Sequence, residues 1–205
     1  MNMTCRRNRR SFRERARGAG FTLVELLVAI GIAAILVSLA LPSFRQISMK
    51  MKVTANTNTL LGAIIMARAE AVKRGVPVAV VANAGASATA WGITGWYVQA
   101  GNPVAGPPAS IAFTGGATYL LRNYAGLGAG YGVTSNVTAT PCSGACTSAG
   151  QIVFDSTGAL LGASGATLNV CQPDQNPALE NRIVIQATGE AGSFANATGS
   201  PAPAC

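Results

Sequence analysis

Histidine is absent from this chain. The commonest general base at neutral pH and the commonest zinc ligand are therefore missing. Charge is scarce, with 11% of residues Asp, Glu, Lys or Arg, and aromatics contribute 6%. No G-x-S-x-G nucleophile elbow, no P-loop and no pair of carboxylates at helical spacing occurs. Gly126-Leu127-Gly128-Ala129-Gly130 is glycine-rich, but it has no lysine and no strand-to-helix context, so it reads as a loop. The chain is expected to be no enzyme and to need no cofactor or metal. Gly, Ala, Ser and Thr are abundant instead. That composition suits a β-rich extracytoplasmic domain with many turns better than a charged cytosolic enzyme.

The net charge of +8 is unevenly spread. Arg6, Arg7, Arg9, Arg10, Arg13, Arg15 and Arg17 lie before Gly20, against Glu14 alone. From Gly75 onward the only cations are Arg122 and Arg182, against Asp155, Asp174, Glu180 and Glu190. A nucleic-acid footprint would place its cations on the folded domain. Here they sit in a leader. By the positive-inside rule, such a leader holds the N-terminus in the cytoplasm and sends the bulk of the chain across the membrane.

Phe21–Leu41 is an apolar run broken by one charge, Glu25. Its 21 residues span about 31 Å as a helix, the thickness of a bilayer's hydrocarbon core. A carboxylate in lipid costs roughly 2.5–3.5 kcal/mol at the midplane and less near an end, so Glu25 is expected to have a partner. Secretory signals have a shorter apolar run, with a small-residue cleavage site after it. Here the plausible cut lies before the run, at Gly20-Phe21, which keeps the helix in the mature protein. Beyond Pro42 the pattern stays helical: Leu61, Ile64, Ile65, Arg68 and Val72 form an i, i+3, i+4, i+7, i+11 stripe. A long helix is expected to leave the membrane, kink near Pro42, pack one face on a globular domain and stop at Gly75 and Pro77. Glu70 and Arg74 are an i, i+4 pair.

From Val76 the period shortens. Residues 76–81, 95–99, 111–113, 151–155, 167–170 and 182–186 read as strands, separated by Gly, Pro, Asn and Ser clusters. Residues 100–110 and 123–150 read as loops, and 187–205 as a loose tail. Four cysteines, Cys142, Cys146, Cys171 and Cys205, fall in the exported part, and Cys5 falls in the leader. An even number in an oxidising compartment suggests disulfides, with three possible connectivities. The favoured one closes a tight loop with Cys142–Cys146 and ties down the C-terminus with Cys171–Cys205. The C-x3-C spacing alone is weak evidence for a metal.

Gly20-Phe21-Thr22-Leu23-Val24-Glu25, with its basic leader and apolar run, resembles the processing site of type IV pilins and pseudopilins. Pro42 resembles the helix-kinking proline of many pilins. Three further segments narrow the resemblance to GspH/FimT-type minor pilins and pseudopilins. These are Arg68-Ala69-Glu70-Ala71-Val72-Lys73-Arg74-Gly75-Val76-Pro77-Val78, Trp91-Gly92-Ile93-Thr94-Gly95-Trp96-Tyr97-Val98 and Phe154-Asp155-Ser156-Thr157-Gly158. Read physically, the tryptophans are core packing and Asp155 forms a turn.

The resemblance implies an α+β, pilin-like fold. Residues 1–20 would be a cleaved leader, 21–41 a transmembrane and filament-core helix, 42–75 an amphipathic continuation, and 76–205 a periplasmic β-rich domain. Prepilin peptidase would cut after Gly20 and methylate Phe21. A neighbouring subunit's Glu25 would neutralise the new α-ammonium, a pair that specifies register more surely than it adds stability. The chain would be a structural subunit of a type II secretion pseudopilus or a type IV pilus, in a tip or initiating complex. Its partners would be other pilins or pseudopilins, prepilin peptidase, the inner membrane assembly platform and, before assembly, lipid. Some relatives bind DNA through a basic G-R-x-R motif after the last strand. Here that position reads Thr188-Gly189-Glu190-Ala191-Gly192, which disfavours nucleic acid. The other alternative is a membrane-anchored periplasmic binding module whose helix is never processed.

Overall fold

A computed structural model describes residues 21–84, 91–92, 94–104, 110–112, 119–140, 142, 146–173 and 180–195. Among these described residues one helix, α1 (Leu23–Arg74), is followed by ten strands. The chain divides into two compact units, Met1–Phe44 and Arg45–Cys205.

In the first unit every described side chain from Phe21 to Leu41 is exposed. Ser38 is the one hydroxyl within the apolar stretch after Thr22, and it donates to the carbonyl of Ile35 at 2.7 Å, so its polarity is met inside its own helix. The helical assignment runs on through Pro42, whose side chain is not among those described.

In the second unit α1 presents Val53, Leu60, Ile64, Ala67 and Ala71 to the core at alternating steps of three and four (with Thr57 in register), which is one helix face. Thr57 is buried on this face and donates to the carbonyl of Val53 at 2.7 Å. Of the stripe expected from the sequence, Ile64 is buried and Leu61 and Arg68 are half-buried, but Ile65 and Val72 are exposed, because the buried face turns through the small side chains of Ala63, Ala67 and Ala71. Gly75 ends the helix with φ 66° and an N–H bond to the carbonyl of Ala71.

Two antiparallel four-stranded sheets share this core. The first has the order β5 (Leu120–Tyr124), β2 (Trp96–Ala100), β1 (Val78–Ala82), β7 (Gln151–Phe154). The second has the order β10 (Ala191–Ala195), β9 (Asn181–Gln186), β8 (Ala163–Cys171), β6 (Gly132–Ala139). A separate pair joins β3 (Asn102–Val104) to β4 (Ser110–Ala112). Val78, Val80, Trp96, Val98, Ile152 and Phe154 enter the core from the first sheet, and Val133, Leu168, Val170, Ile183 and Ile185 from the second. The carbonyl of Ala149 joins the sheets, accepting the Trp91 indole N–H at 2.7 Å and the Ser135 hydroxyl of β6.

The six expected strands all form, with ends shifted by up to four residues. Four more occur: β3 within the expected loop 100–110, β6 within 123–150, β10 within the expected tail 187–205, and β5 (120–124), which overlaps the second expected loop only at 123–124.

Candidate functional site

The start of α1 is built by Thr22. Its hydroxyl accepts the backbone N–H of Glu25 at 3.2 Å, and its carbonyl accepts the N–H of Leu26 at 3.2 Å. Thr22 is therefore the N-cap and Glu25 the third helical residue. Thr22-x-x-Glu25 is the sequence of a capping box, and this hydroxyl bond is its first half. The spacing was visible in the sequence but went unread there. Glu25 also sits where the helix dipole favours an anion. Phe21 lies just outside the cap, 79% exposed, and Gly20 lies outside the described residues. From Leu23 the helix is long and apolar enough to cross a membrane. A capped helix start, one acid in the first turn and an uncovered apolar surface are thus adjacent.

The globular unit carries the other motif residues, and their roles are structural. Trp91 and Trp96 are fully buried, and Trp96 stacks on Tyr124 with ring centroids 5.6 Å apart. Between them Gly95 has φ 81°, and a Cβ there would stand 2.2 Å from the carbonyl oxygen of Tyr124. The W-x-x-G-W segment thus packs two rings and brings two backbones together. Glu70 binds Arg74 at 2.6 Å and Lys73 at 3.6 Å. The Arg74 hydrogen bond is the main reason that the Glu70 carboxyl lies below its usual value.

Asp155 holds the turn after β7. Its Oδ1 accepts the Thr157 hydroxyl at 2.6 Å, the Thr157 N–H at 2.8 Å and the Ala159 N–H at 3.0 Å. Burial pushes its carboxyl up, but bonds from the Thr157 hydroxyl and the backbone outweigh this and hold it below the ordinary value.

Arg68 was expected on the packed stripe, and its particular task is one the sequence left unread. Its Nε donates to the carbonyl of Gly158 at 3.0 Å, and its Nη2 to the carbonyl of Thr188 at 3.1 Å. One helix side chain thereby ties the Asp155 turn to the β9–β10 turn. Gly189 lies in this contact with φ 78°, and a Cβ there would come within 1.8 Å of the Gly158 oxygen. Where DNA-binding relatives carry cations, this chain has a tight turn with Glu190, and the arginine beside it is occupied by carbonyls.

Cys142 and Cys146 form a disulfide. Cys171 is also disulfide-bonded, and Cys205 lies outside the described residues. Among the described residues no cluster of three or more His, Cys, Asp or Glu is placed to hold a metal.

Residues 56–189, more than half of the chain, match the family model of the type II transport protein GspH. The chain belongs to the GspH family. Residues 15–41 match the prokaryotic N-terminal methylation motif, a range that contains Gly20, Phe21 and Glu25. The GspH match runs from the packed part of α1 to the turn held by Arg68. Among solved structures the GspH-family chain is similar to the type IV minor pilin FimU of Pseudomonas aeruginosa in two crystal forms. One has 18% identity and a TM-score of 0.49 over 77% of this chain and 96% of FimU. The other has 19% identity and a TM-score of 0.47 over 73% and 96%. It is also similar to the minor pseudopilin EpsH of the Vibrio cholerae type 2 secretion system, with 12% identity and a TM-score of 0.42 over 70% and 97%. Among curated proteins none matches.

Proposed function

We propose that this GspH-family chain is a minor pilin or pseudopilin that is stored in the inner membrane and assembled through α1 after processing. Prepilin peptidase cuts between Gly20 and Phe21 and methylates Phe21. Phe21–Leu41 holds the processed subunit in the membrane, with the β-rich domain in the periplasm. On assembly the apolar helix exchanges lipid for the helices of like-built subunits, and the platform in the inner membrane extracts it. The chain takes a place in a tip or initiating complex of a type II secretion pseudopilus or a type IV pilus.

One observation carries this reading: an uncovered apolar helix whose first turn holds a lone acid three residues after its N-cap. A free α-ammonium on Phe21 and a carboxylate at Glu25 are the two charges this end must neutralise away from water. Pairing the amine of one subunit with Glu25 of the next satisfies both and fixes their stagger. Catalysis has no part in this mechanism; the work is positioning.

The test is Glu25→Ala in the native host. The variant inserts into the membrane in normal amount, and its recovery in the assembled filament fraction falls at least about tenfold, the effect of roughly 1.4 kcal/mol. Normal incorporation would contradict the pairing.

A further inference from the structure

Three cations follow the membrane-length stretch with no acid among them. Arg45, Lys50 and Lys52 lie four, nine and eleven residues beyond Leu41. No Asp or Glu occurs between Glu25 and Glu70. All three side chains are exposed, and the ion pairs among the described residues belong to Glu70, with Lys73 and Arg74. In the membrane-stored form proposed above, this placement runs against the positive-inside rule, which counts cations within about 15–20 residues of a span's ends. The seven arginines before Gly20 outnumber them and keep the orientation. The three cations thus work against topology, and the fold of the chain does not use them.

Their arrangement says what they meet. At about 100° per residue, Arg45 and Lys52 share one side of α1, and Lys50 is turned from Lys52 by about 160°. The packed face of Val53, Thr57, Leu60 and Ile64 fills the arc between these sides. The other arc holds Ile47 and Met51, both exposed. A folded partner would meet one side of the helix, whereas a layer of headgroups surrounds it. The helix also aims the cations. Its Cα–Cβ bonds tilt toward the N-terminus, so the long stems lean back toward the membrane stretch. Such stems lie along apolar surface and hold the charge at its polar border. Lys50 does so in a shallow groove of α1, which it lines with Ile47, Met51, Thr54, Ala55 and Asn58. A cation beside an apolar floor suits a phosphate carried on acyl chains.

We propose that Arg45, Lys50 and Lys52 form a collar that binds anionic lipid headgroups in the leaflet at the Leu41 end of the helix. The collar holds the stored subunit at one depth until assembly draws it out. This proposal rests on the membrane-stored reading of the chain. The attraction is electrostatic, so it weakens as salt shortens the reach of each charge.

The test uses the full chain reconstituted in vesicles of phosphatidylcholine and phosphatidylglycerol mixed two to one. Spin-labelled lipids report how strongly the protein prefers one headgroup over the other. The chain is expected to prefer phosphatidylglycerol, and Arg45→Gln/Lys50→Gln/Lys52→Gln is expected to lose at least about half of that preference. The arginines before Gly20 are the same in both proteins, so the difference reads the collar. Emission of the buried Trp91 and Trp96 checks that the variant keeps its fold. Equal preference in the two proteins overturns the proposal. So does an equal loss in Lys73→Gln, whose exposed cation lies far along the helix. A variant that keeps its lipid preference but leaves the filament fraction in the native host would assign the cations to an acidic neighbouring subunit instead. Failure of the storage reading shows differently, as wild-type chain that stays out of the vesicle fraction, and it would overturn the collar with it.

Discussion

Arg68 joins three segments far apart in the chain. Its two bonds, to Gly158 and Thr188, satisfy carbonyls of turns that close opposite sheets onto one helix. Hydrogen bonds from a charged donor contribute about 1.5–3 kcal/mol each, less where partly exposed. Arg68→Ala is expected to lower the unfolding free energy by about 2 kcal/mol in urea titration of the detergent-solubilised protein. Arg68→Lys recovers only part of this, because an ammonium cannot span both carbonyls as a planar fork does. Gly189→Ala meets both a left-handed backbone and the Gly158 carbonyl, and is expected to cost about 2–4 kcal/mol. Asp155 gives a pH signature. Its carboxyl is held below the ordinary 3.8, so its stabilisation is complete above that value and is lost as pH falls through the lower folded value. Asp155→Ala should destabilise by about 1–2 kcal/mol at neutral pH, and the gap should narrow in acid. A gap that persists unchanged in acid would mean that the turn does not depend on the ionised carboxylate.

At the scale of elements, the sequence is legible wherever burial imposes a period. On α1 the expected stripe was misplaced: Ile65 and Val72 are exposed, and the buried face passes through Ala67 and Ala71, whose small side chains carry little hydrophobic signal. β1, β2, β7 and β9, by contrast, contain runs of β-branched or aromatic residues. The strands left unread lack that imprint. β6 is Gly-Val-Thr-Ser-Asn-Val-Thr-Ala with one fully buried side chain, and it is held by its register with β8. β10 is half exposed, with Phe194 60% open, and exists as the edge partner of β9. Such strands owe their form to a neighbour's backbone, and residue type alone carries little of that. The Arg68 contacts were illegible for a related reason: they end on carbonyls 90 and 120 residues away. The Thr22 cap was a legible signal. Thr22→Ala should cost about 1 kcal/mol at the helix start and speed amide exchange at Val24–Leu26 in micelles. The Cys142–Cys146 bond closes a loop of about five residues, for which chain entropy gives about 2 kcal/mol. The Cys142→Ser/Cys146→Ser pair should lose about that much on chemical denaturation.

For the whole molecule, two halves of one chain suit different surroundings. The first has exposed apolar side chains along a membrane-length helix, behind a segment whose sequence carries seven arginines. The second has a closed core and, from Gly75 onward, a slightly acidic balance. An apolar rod left in water would aggregate; in lipid or among like rods it is at home. The family match covers the domain and the methylation motif covers the rod, so both halves point to a pilin-like subunit. The central claim is that the rod survives maturation with a new, methylated start. Intact-mass and N-terminal peptide spectrometry of the protein from its native membrane tests it directly. The account predicts a chain that begins at Phe21 and carries one added methyl group on its α-amine. A product that keeps the arginine leader, or that begins beyond Leu41, would contradict it.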